Sequence, residues 1–452
     1  MCNVNVNFNE IKGNMRLMHC ISQPPMLNVN DSLMHYVTEA GILFSRLHDT
    51  QGYQGDNRFV DVPNIFRDFD ADENDPASYD FAFTDEFLKC MIKAECQPFY
   101  RLGVTIENHP HIKAYRIFPP KDPAKWARIC EHIIRHYNEG WANGFRFGIR
   151  YWEIWNEPDD ANFKGGKTQM WFGTPEQFYE LYDITACHLK ACFGDTISVG
   201  GYSACGWNKW QLVDAECQGI DYEPENYWTG RIKFAHGFFK YIKERGTPLD
   251  FFSFHSYSQP ENAVTQVNYA RRLLEKYGFG NVPMILDEWN TNPWEPAKRD
   301  SAWASALVME MMLRMQTETD VDMIMLYDAS VGASPYSALI NPLTYEPFTC
   351  YYNFKMFSDA YRLGKQAKAT SDNPALVVCA ATNGSKNILL MVNTLDKPLE
   401  TAITVTGADS ADAEIIFTNQ CCKNTLTGKR LQPGNLLMIP PYTSVEIRFP
   451  AP

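Results

Sequence analysis

The sequence predicts an α/β protein in which a (β/α)8 TIM barrel precedes a small C-terminal antiparallel β-sandwich domain. Two observations lead to this prediction. From about residue 40 to 360, short β-rich runs alternate with amphipathic helical patterns, as is typical of parallel α/β folds. After residue 363, strand-like runs follow one another with Asn, Gly, Asp and Pro between them. No G-x-G-x-x-G motif opens a helix, which favours a closed barrel over an open, doubly wound sheet.

Eight runs are the candidate barrel strands, because each is short and rich in β-branched or aromatic residues. They are "GILFSRL" from Gly41, "NIFRDF" from Asn64, "QPFYRLGV" from Gln97, "YWEIWN" from Tyr151, "TISVGGY" from Thr196, "DFFSFHSY" from Asp250, "PMILDEW" from Pro283 and "DMIMLYDA" from Asp322. Between the first two, "HDTQGYQGDNRFVDVP" has no helical period, so we expect a long irregular loop there.

Two helices between these strands have clear start signals. Asp122 followed by Pro123 predicts an N-cap and a first-turn proline, after which apolar residues recur on one face (Trp126, Ile129, Ile133 and Tyr137). Thr174 and Gln177 have the spacing of a capping box around Pro175. Both signals predict helices that cover the barrel.

The remaining strand-like runs form the second predicted domain. They are "ALVVCAA", "NILLMVN", "TAITVT", "AEIIF", "NLLMIP" and "TSVEIRF", and "NVNVNFNEI" near the start alternates in the same way. We therefore predict that residues 1–22 add one or more strands to a β-sandwich of residues 363–452, and that residues 23–362 form the barrel.

Charge and composition exclude several classes of partner. The formal net charge of -13 argues against nucleic-acid binding, which depends on Lys and Arg contacts to phosphates. No basic amphipathic segment or long apolar stretch indicates membrane association. The 13 cysteines have no C-x-x-C pair, which favours a reducing compartment over a zinc site. The first residues lack a secretory leader, so we expect a cytoplasmic protein unless a signal has been removed.

Two glutamates follow predicted barrel strands at the end where active sites of this fold are built. Glu157 follows the fourth strand, between Asn156 and Pro158, and Glu288 ends the seventh strand. Cleavage of a glycosidic bond uses two carboxyl groups, one as proton donor and one as nucleophile or base, and needs neither metal nor cofactor. The pair therefore predicts glycoside hydrolysis.

Glu153 is a rival carboxylate on the same fourth strand. With a two-residue side-chain period, Glu153 and Glu157 share a face, and Glu153 lies deeper in the barrel. A charge at that depth needs a partner, which either Arg46 or Arg101 can supply. We interpret Glu153 as a structural ion-pair residue and Glu157 as the chemical one.

Other residues at strand ends have the donors and acceptors that sugars require. His255 and Tyr257 share a face of the sixth strand, so Tyr257 is placed to donate to Glu288 and His255 to a sugar hydroxyl. His48 and Asp49 follow the first predicted strand. Trp289 has two interpretations, core packing and a sugar-facing wall. His132 and His136 have helical metal-ligand spacing, but a solvated helix face is the favoured interpretation.

"WEIWNEPD", "FSFHSY" and "MILDEWN", in this order, resemble glycoside hydrolase family 39 of clan A, a family of β-xylosidases and α-L-iduronidases. The resemblance implies a retaining enzyme with Glu157 as acid/base and Glu288 as nucleophile. It also implies that Asn156 binds the sugar 2-hydroxyl, that His255 and Tyr257 are the family's His-x-Tyr, and that His48 binds sugar. The eighth strand ends in "LYDAS" without a tryptophan, so Tyr327 or Asp328 takes the place of that wall or leaves the pocket wider.

We therefore expect a retaining, exo-acting glycosidase of the β-xylosidase type, without cofactor, whose partner is an oligosaccharide or glycoside. An α-L-arabinosidase or another exo-glycosidase of the family is the nearest alternative. α-L-Iduronidase is less favoured, because no basic cluster for a uronate is evident in the sequence. From a different class, a carbohydrate-binding barrel without turnover also fits the fold, although a binding protein has no use for a nucleophile. A homo-oligomer is compatible with the sequence.

Overall fold

The computed structural model of the protein describes residues 1–26, 33–48, 60–105, 117–162, 167–168, 170–207, 227–291, 295–332, 335–410, 412–428, 431 and 434–450. Its strands up to residue 326 are β1 (Cys2–Asn14), β2 (Leu17–Ser22), β3 (Phe44–Leu47), β4 (Gln97–Leu102), β5 (Tyr151–Ile154), β6 (Ala161–Asn162), β7 (Lys167–Thr168), β8 (Ser198–Ala204), β9 (Phe251–Ser256), β10 (Met284–Trp289) and β11 (Met323–Leu326). β2 to β5 and β8 to β11 pair in parallel and close into an eight-stranded barrel, which confirms the predicted fold class.

The first two barrel strands differ from those predicted. The run from Asn64 is not a strand, because Val62–Ile65 is a short helix that begins with proline at its second position. The run from Gly41 supplies the second barrel strand, and the first is β2, which pairs with β11 and β3. The assignment of residues 1–22 to the second domain is therefore wrong for Leu17–Ser22, although β1 does join the second sheet.

The helices of the described residues are α1 (Met34–Glu39), α2 (Val62–Ile65), α3 (Ala82–Lys93), α4 (Pro123–Asn138), α5 (Pro175–Phe193), α6 (Tyr227–Arg245), α7 (Pro260–Tyr277), α8 (Ala302–Glu318) and α9 (Tyr351–Tyr361). Both predicted start signals are confirmed. Asp122 accepts from the backbone N–H of Lys125, and Thr174 and Gln177 form a reciprocal capping box. Among these described segments, no helix combines the length and the apolar character that a bilayer crossing requires.

The second sheet contains β1 with β12 (Lys365–Ser371), β13 (Leu376–Thr382), β14 (Asn387–Asn393), β15 (Leu399–Thr406), β16 (Glu414–Thr418), β17 (Thr425–Leu426), β18 (Leu436–Ile439) and β19 (Ser444–Phe449). β14, β13 and β12 separate β19 from β1, which would place these two strands about 19 Å apart in a flat sheet. The rings of Phe8 and Phe449 are nevertheless 5.4 Å apart. The sheet therefore folds over itself around an apolar core, as in a sandwich.

The alternating side chains of β13 connect the second sheet to the barrel, because they face two different cores. Leu376, Val378 and Ala380 of β13 face the core of the sheet. Val377, Cys379 and Ala381 belong instead to the large core shared with the barrel. Because side chains alternate with a two-residue period, one run of small and branched residues serves both cores.

Inside the barrel an apolar layer lies below a polar one. Phe44, Phe99, Tyr151, Phe251 and Ile285 pack together at the N-terminal side of the barrel interior. Two residues further along the same strands come polar side chains (Arg46, Arg101, Glu153, Ser253 and Asp287) that are all buried. The two-residue period of the strands thus produces a polar floor at the C-terminal end of the barrel, where sites of this fold lie.

Candidate active site

A backbone break at the end of β5 aims Glu157 away from the strand. The strand ends at Ile154, and Trp155 and Glu157 have positive φ values of 73° and 47°. The N–H of Glu157 donates to the carbonyl of Ser203 at 2.9 Å. Left-handed conformations are unfavourable for non-glycine residues and concentrate at functional sites, so this break supports a functional role for the segment.

A bulge in β10 brings two consecutive acids to the barrel interior. The register of β10 against β9 shifts between Leu286 and Glu288, which leaves Asp287 as the extra residue. Both Asp287 and Glu288 then contact Arg46, at 2.8 and 2.6 Å. A regular strand would have pointed one of the two side chains outwards.

Arg46 is the centre of the polar floor. Its Nε lies 2.7 Å from Glu153 Oε2, and its Nη2 donates to Asn156 Oδ1 and Ser203 Oγ at 2.7 Å each. Arg46 and Glu153 are completely buried. The structure thus selects Arg46 from the two partners considered for Glu153, while Arg101 pairs with Asp61 at 2.7 Å.

The two glutamates both lie close to Nδ1 of His255. Nδ1 of His255 is 2.7 Å from Glu157 Oε1 and 3.5 Å from Glu288 Oε2. One ligand atom from each of Glu157, His255 and Glu288 lies within 4.8 Å of the other two. Retaining glycosidases hold their two carboxyl groups about 5–5.5 Å apart, so the spacing is compatible with that mechanism. The same atoms could ligate a divalent cation, but the guanidinium of Arg46 beside Glu288 opposes one.

The charges around His255 shift all three pKa values. Burial lowers the pKa of His255, but the charges of Glu288 and Asp287 and the hydrogen bonds to carboxylates outweigh it, so the pKa lies well above its ordinary value. Burial raises the pKa of Glu157, yet the hydrogen bond and charge of His255 bring it below the ordinary value. Burial and the charge of Glu157 raise the pKa of Glu288, against His255 and Arg46. In the free site the proton therefore lies on His255, which donates to an ionised Glu157.

Asn156 keeps one donor free. Its Oδ1 accepts from Arg46 and from the hydroxyl of Ser203, at 2.7 and 3.1 Å. Its Nδ2 is buried and has no hydrogen-bond partner in the described part of the chain. A buried donor without a partner is unfavourable and is available to a ligand acceptor such as a sugar hydroxyl.

Three tyrosines form a wall beside Glu288. The hydroxyl of Tyr257 donates to Glu288 Oε2 at 2.5 Å. Its ring centroid lies 6.1 Å from that of Tyr327 and 5.3 Å from that of Tyr336, in edge-to-face arrangements. Tyr327, which follows the eighth strand, is thus the residue at that strand end whose ring lies beside Tyr257. Tyr336 comes from a loop that the sequence analysis did not single out.

A second group of polar side chains lies next to Glu157. Single ligand atoms of Glu157, Asp160 and Cys205 lie within 4.8 Å of one another, and Arg231 Nη2 is 2.9 Å from Asp160 Oδ1. Burial and the charge of Glu157 raise the pKa of Asp160 to about 6. Sequence reasoning missed Cys205 and Arg231, because neither belongs to a motif; "NEPDD" alone pointed towards Asp160.

The remaining predicted residues have different fates. His48 is buried at the end of β3, and Arg101 donates to its backbone carbonyl at 2.9 Å. Asp49 lies outside the described residues. Trp289 is completely buried in the main core, which favours core packing over a sugar-facing wall. The solvated-face interpretation is wrong for His136, which is 2% exposed and contacts Asp85 at 2.9 Å.

Comparison with known proteins identifies the family. The sequence model described as "Glycosyl hydrolases family 39" matches residues 57–325, which is more than half of the chain. The chain belongs to glycosyl hydrolases family 39. The resemblance found in the three strand-end motifs is thereby confirmed.

The names of similar proteins refer to two different sugars. The chain is 23% identical over 292 residues to a β-xylosidase of Geobacillus stearothermophilus (57% of this chain, 51% of the relative). It is 24% identical over 280 residues to a β-xylosidase of Caldicellulosiruptor saccharolyticus (56% and 47%). The chain thus spans about half the length of these curated relatives. A crystal structure of a glucosidase from Croceicoccus marinus is similar with a TM-score of 0.76 and 19% identity, covering 100% of this chain and 99% of that one.

Proposed function

We propose that this member of family 39 is a retaining, exo-acting glycoside hydrolase of the β-xylosidase type. The observation that carries the proposal is the pair of carboxyl groups of Glu157 and Glu288, which converge from β5 and β10 at a separation suited to double displacement. Membership of the family and the two relatives named β-xylosidase support the same reaction.

Glu288 is the proposed nucleophile. Arg46 Nη1 donates to its Oε1 and the Tyr257 hydroxyl to its Oε2. Both donors favour the ionised carboxylate and hold it in one orientation, as attack on an anomeric carbon requires. Attack forms a covalent glycosyl-enzyme ester at Glu288 and expels the aglycone oxygen.

Glu157, together with His255, is the proposed acid and base. Nδ1 of His255 lies 2.7 Å from Glu157 Oε1, so the proton on this nitrogen forms a hydrogen bond to Glu157. We assign its transfer to Glu157 and then to the departing oxygen, so that the aglycone leaves as an alcohol. Once Glu288 is esterified, His255 loses the charge that contributes most to raising its pKa. Neutral His255 and ionised Glu157 then remain, and Glu157 takes a proton from the water that hydrolyses the ester.

A neutral terminal sugar is the proposed substrate. Asn156 Nδ2 offers a free donor for a sugar hydroxyl, and Tyr257, Tyr327 and Tyr336 offer ring surface beside the nucleophile. Xylose is the best-supported glycone, since both curated relatives are named β-xylosidases. Glucose is the second candidate, because the similar crystal structure is named a glucosidase.

A panel of 4-nitrophenyl glycosides tests the proposal. The β-xyloside should be hydrolysed fastest, and the product should be released first as the β-anomer, as NMR can show. Glu288→Ala should lose at least about a thousandfold in kcat. Glu157→Ala should lose far more on alkyl than on nitrophenyl glycosides, because an activated leaving group needs no proton, and azide should restore turnover as a β-glycosyl azide.

Glu86→Ala is the matched control, since Glu86 is an exposed helix residue paired with Lys89. It should leave all rates unchanged. Release of the α-anomer would refute the retaining mechanism. Full activity in Glu288→Ala would refute the assigned nucleophile. Binding of xylose without turnover of any glycoside would favour a carbohydrate-binding barrel.

A further inference from the structure

Three side chains of types that ligate metals converge between α4 and α5, away from the site of Glu157, His255 and Glu288. Glu131 comes from α4, and His188 and Cys192 come from α5. One ligand atom from each lies within 4.8 Å of the other two. Nε2 of His188 is 2.6 Å from Glu131 Oε2 and 3.8 Å from the sulfur of Cys192. The three atoms therefore face one point.

Helix geometry explains the convergence. His188 and Cys192 are four residues apart on α5, so their side chains lie on the same face one turn apart. The long contact between α4 and α5 brings Glu131 to that face. All three side chains are only partly buried, so each can adjust its rotamer without disturbing the core.

The distances suit a four-coordinate ion after a small adjustment. Zinc bonds of about 2.0–2.3 Å imply separations of about 3.3–3.6 Å between ligand atoms in a tetrahedron. The His188 nitrogen and the Glu131 oxygen would have to separate by less than about 1 Å. The distance from this nitrogen to the Cys192 sulfur, 3.8 Å, is already close to the required range. Three protein ligands leave the fourth position for water.

The set of donor atoms selects the type of metal. A thiolate and an imidazole favour zinc and similar borderline ions, whereas magnesium and calcium prefer oxygen alone. Arg135 donates to Oε1 of Glu131 at 2.7 Å, which orients the carboxylate and leaves Oε2 for the ion. The charge of Arg135 weakens the attraction of a cation but also balances the thiolate and carboxylate.

We propose that Glu131, His188 and Cys192 bind Zn²⁺ and thereby cross-link α4 to α5. On binding, the Cys192 thiol gives up its proton to solvent, and the Nε2 proton that His188 donates to Glu131 also leaves that nitrogen, to solvent or to Nδ1 of the same ring. The hydrogen bond between His188 and Glu131 is thereby replaced by two bonds to the ion. The two helices precede and follow β5, whose end positions Glu157. The bound ion stabilises the pair of helices that support this strand, and the site is independent of the proposed hydrolase activity.

Cobalt titration of the metal-free full-length protein tests the proposal, because a thiolate ligand gives Co²⁺ a charge-transfer absorption band. Wild type should show the band, and zinc should displace cobalt and abolish it. Cys192→Ser should lose the band, and His188→Ala should weaken binding at least about tenfold. Zinc should raise the Tm of the wild type and not that of Cys192→Ser.

Two cysteine variants serve as controls. Cys187→Ser removes an exposed thiol from the same helix, and Cys205→Ser removes the thiol beside Glu157. Both should keep the band and the zinc-dependent rise in Tm. A band that survives in Cys192→Ser but disappears in Cys205→Ser would overturn the proposal in favour of a site formed by Glu157, Asp160 and Cys205. Cobalt binding without a thiolate band would overturn it as well.

Discussion

Arg46 holds together a site in which most of the charge is negative. Its guanidinium contacts the carboxylates of Glu153, Asp287 and Glu288. Burial raises the pKa of Glu153 to about 8, and the charge of Asp287 adds to that effect. The pKa of Asp287 is instead lowered to about 2, because the charges of Arg46 and His255 outweigh the effect of burial. Neutral Glu153 thus lowers the number of buried charges that one arginine must balance.

Replacing Tyr257 with phenylalanine should change the pH dependence of hydrolysis. The Tyr257 hydroxyl lowers the pKa of Glu288, whose overall shift is upward. Without that donor the pKa of Glu288 rises further, so the acidic limb of kcat/KM against pH should move to higher pH. The plateau rate should fall about tenfold to a hundredfold, since a hydrogen bond to a charged group contributes roughly 1.5–3 kcal/mol.

Tyr202→Phe is the control for this prediction. Tyr202 is also a buried barrel residue, and its hydroxyl has no hydrogen-bond partner within the described ranges. Removing this hydroxyl should leave the pH dependence of kcat/KM unchanged. An acidic limb that stays at the wild-type pH in Tyr257→Phe would show that Glu288 does not determine it.

The sequence predicts single residues best where a motif ends a regular strand. Glu157, His255 and Tyr257 were predicted from strand ends and a two-residue period, whereas the role of Asn156 was implied by the family resemblance. The structure places these residues around Arg46, His255 and Glu288. Ser203 could not be found in this way, because its inward direction depends on a positive φ of 57° within β8. The role of Asp287 likewise depends on a bulge that no spacing reveals.

At the scale of elements, the missed strand β2 shows the limit of pattern reading. "LMHCIS" is nearly all buried, so it lacks the alternation that identifies a half-exposed strand. His19 interrupts the apolar run, yet its ring packs on Phe357 and Tyr361 of α9. "NIFRDF" had a better strand composition but begins immediately after a proline that opens α2. Tertiary packing thus decided the first case, and the proline of α2 decided the second.

Arg16 at the start of β2 should be important for stability and not for chemistry. Its guanidinium donates to the carbonyls of Met315 and Thr319, at 2.8 and 2.9 Å, and to those of Gln316 and Val321. Met315 and Gln316 lie in the last turn of α8 and Thr319 is its C-cap, and this last turn has no basic residue of its own. Arg16→Gln should lower the free energy of unfolding by about 2–4 kcal/mol in urea titration, with kcat unchanged.

Arg67→Gln is the matched comparison for Arg16→Gln. Arg67 forms an ion pair with Asp80, and its side chain is 68% exposed. Exposed pairs contribute little, so the expected loss is less than about 1 kcal/mol. Equal losses in the two variants would contradict the assigned role of Arg16 as the cap of α8.

At the scale of the whole molecule, the barrel and the second sheet share one core. The change of texture after residue 363 predicted where the strands of the sheet begin. The sequence could not predict that the outer face of these strands packs against α8 and α9. An apolar strand indicates that both of its faces are buried, but it does not indicate which elements cover them. Apart from Leu17–Ser22, the predicted division into domains remains a proposal, and the shared core indicates that the two parts unfold together.

A buried acid at this junction should make stability depend on pH. Glu446 of β19 is completely buried, next to Arg448, which also contacts Asp359 of α9 at 2.7 Å. Burial raises the pKa of Glu446 from 4.5 to about 7, against the charge of Arg448. Below pH 4.5 both folded and unfolded chains hold the proton, so its stabilising effect is fully present. As the pH rises through 7, the folded protein must bury a charge and this stability is lost.

Glu446→Gln isolates this effect, because glutamine resembles the protonated acid at every pH. Wild type and variant should unfold alike at pH 4 and diverge between about pH 4.5 and 7. Above pH 7 the variant should be more stable by roughly 3 kcal/mol in urea titration, the free energy of that pKa difference. Glu400→Gln, at an exposed position of β15, should follow the wild type throughout. A variant that loses stability above pH 7 would instead mean that ionised Glu446 and Arg448 stabilise the junction as a pair.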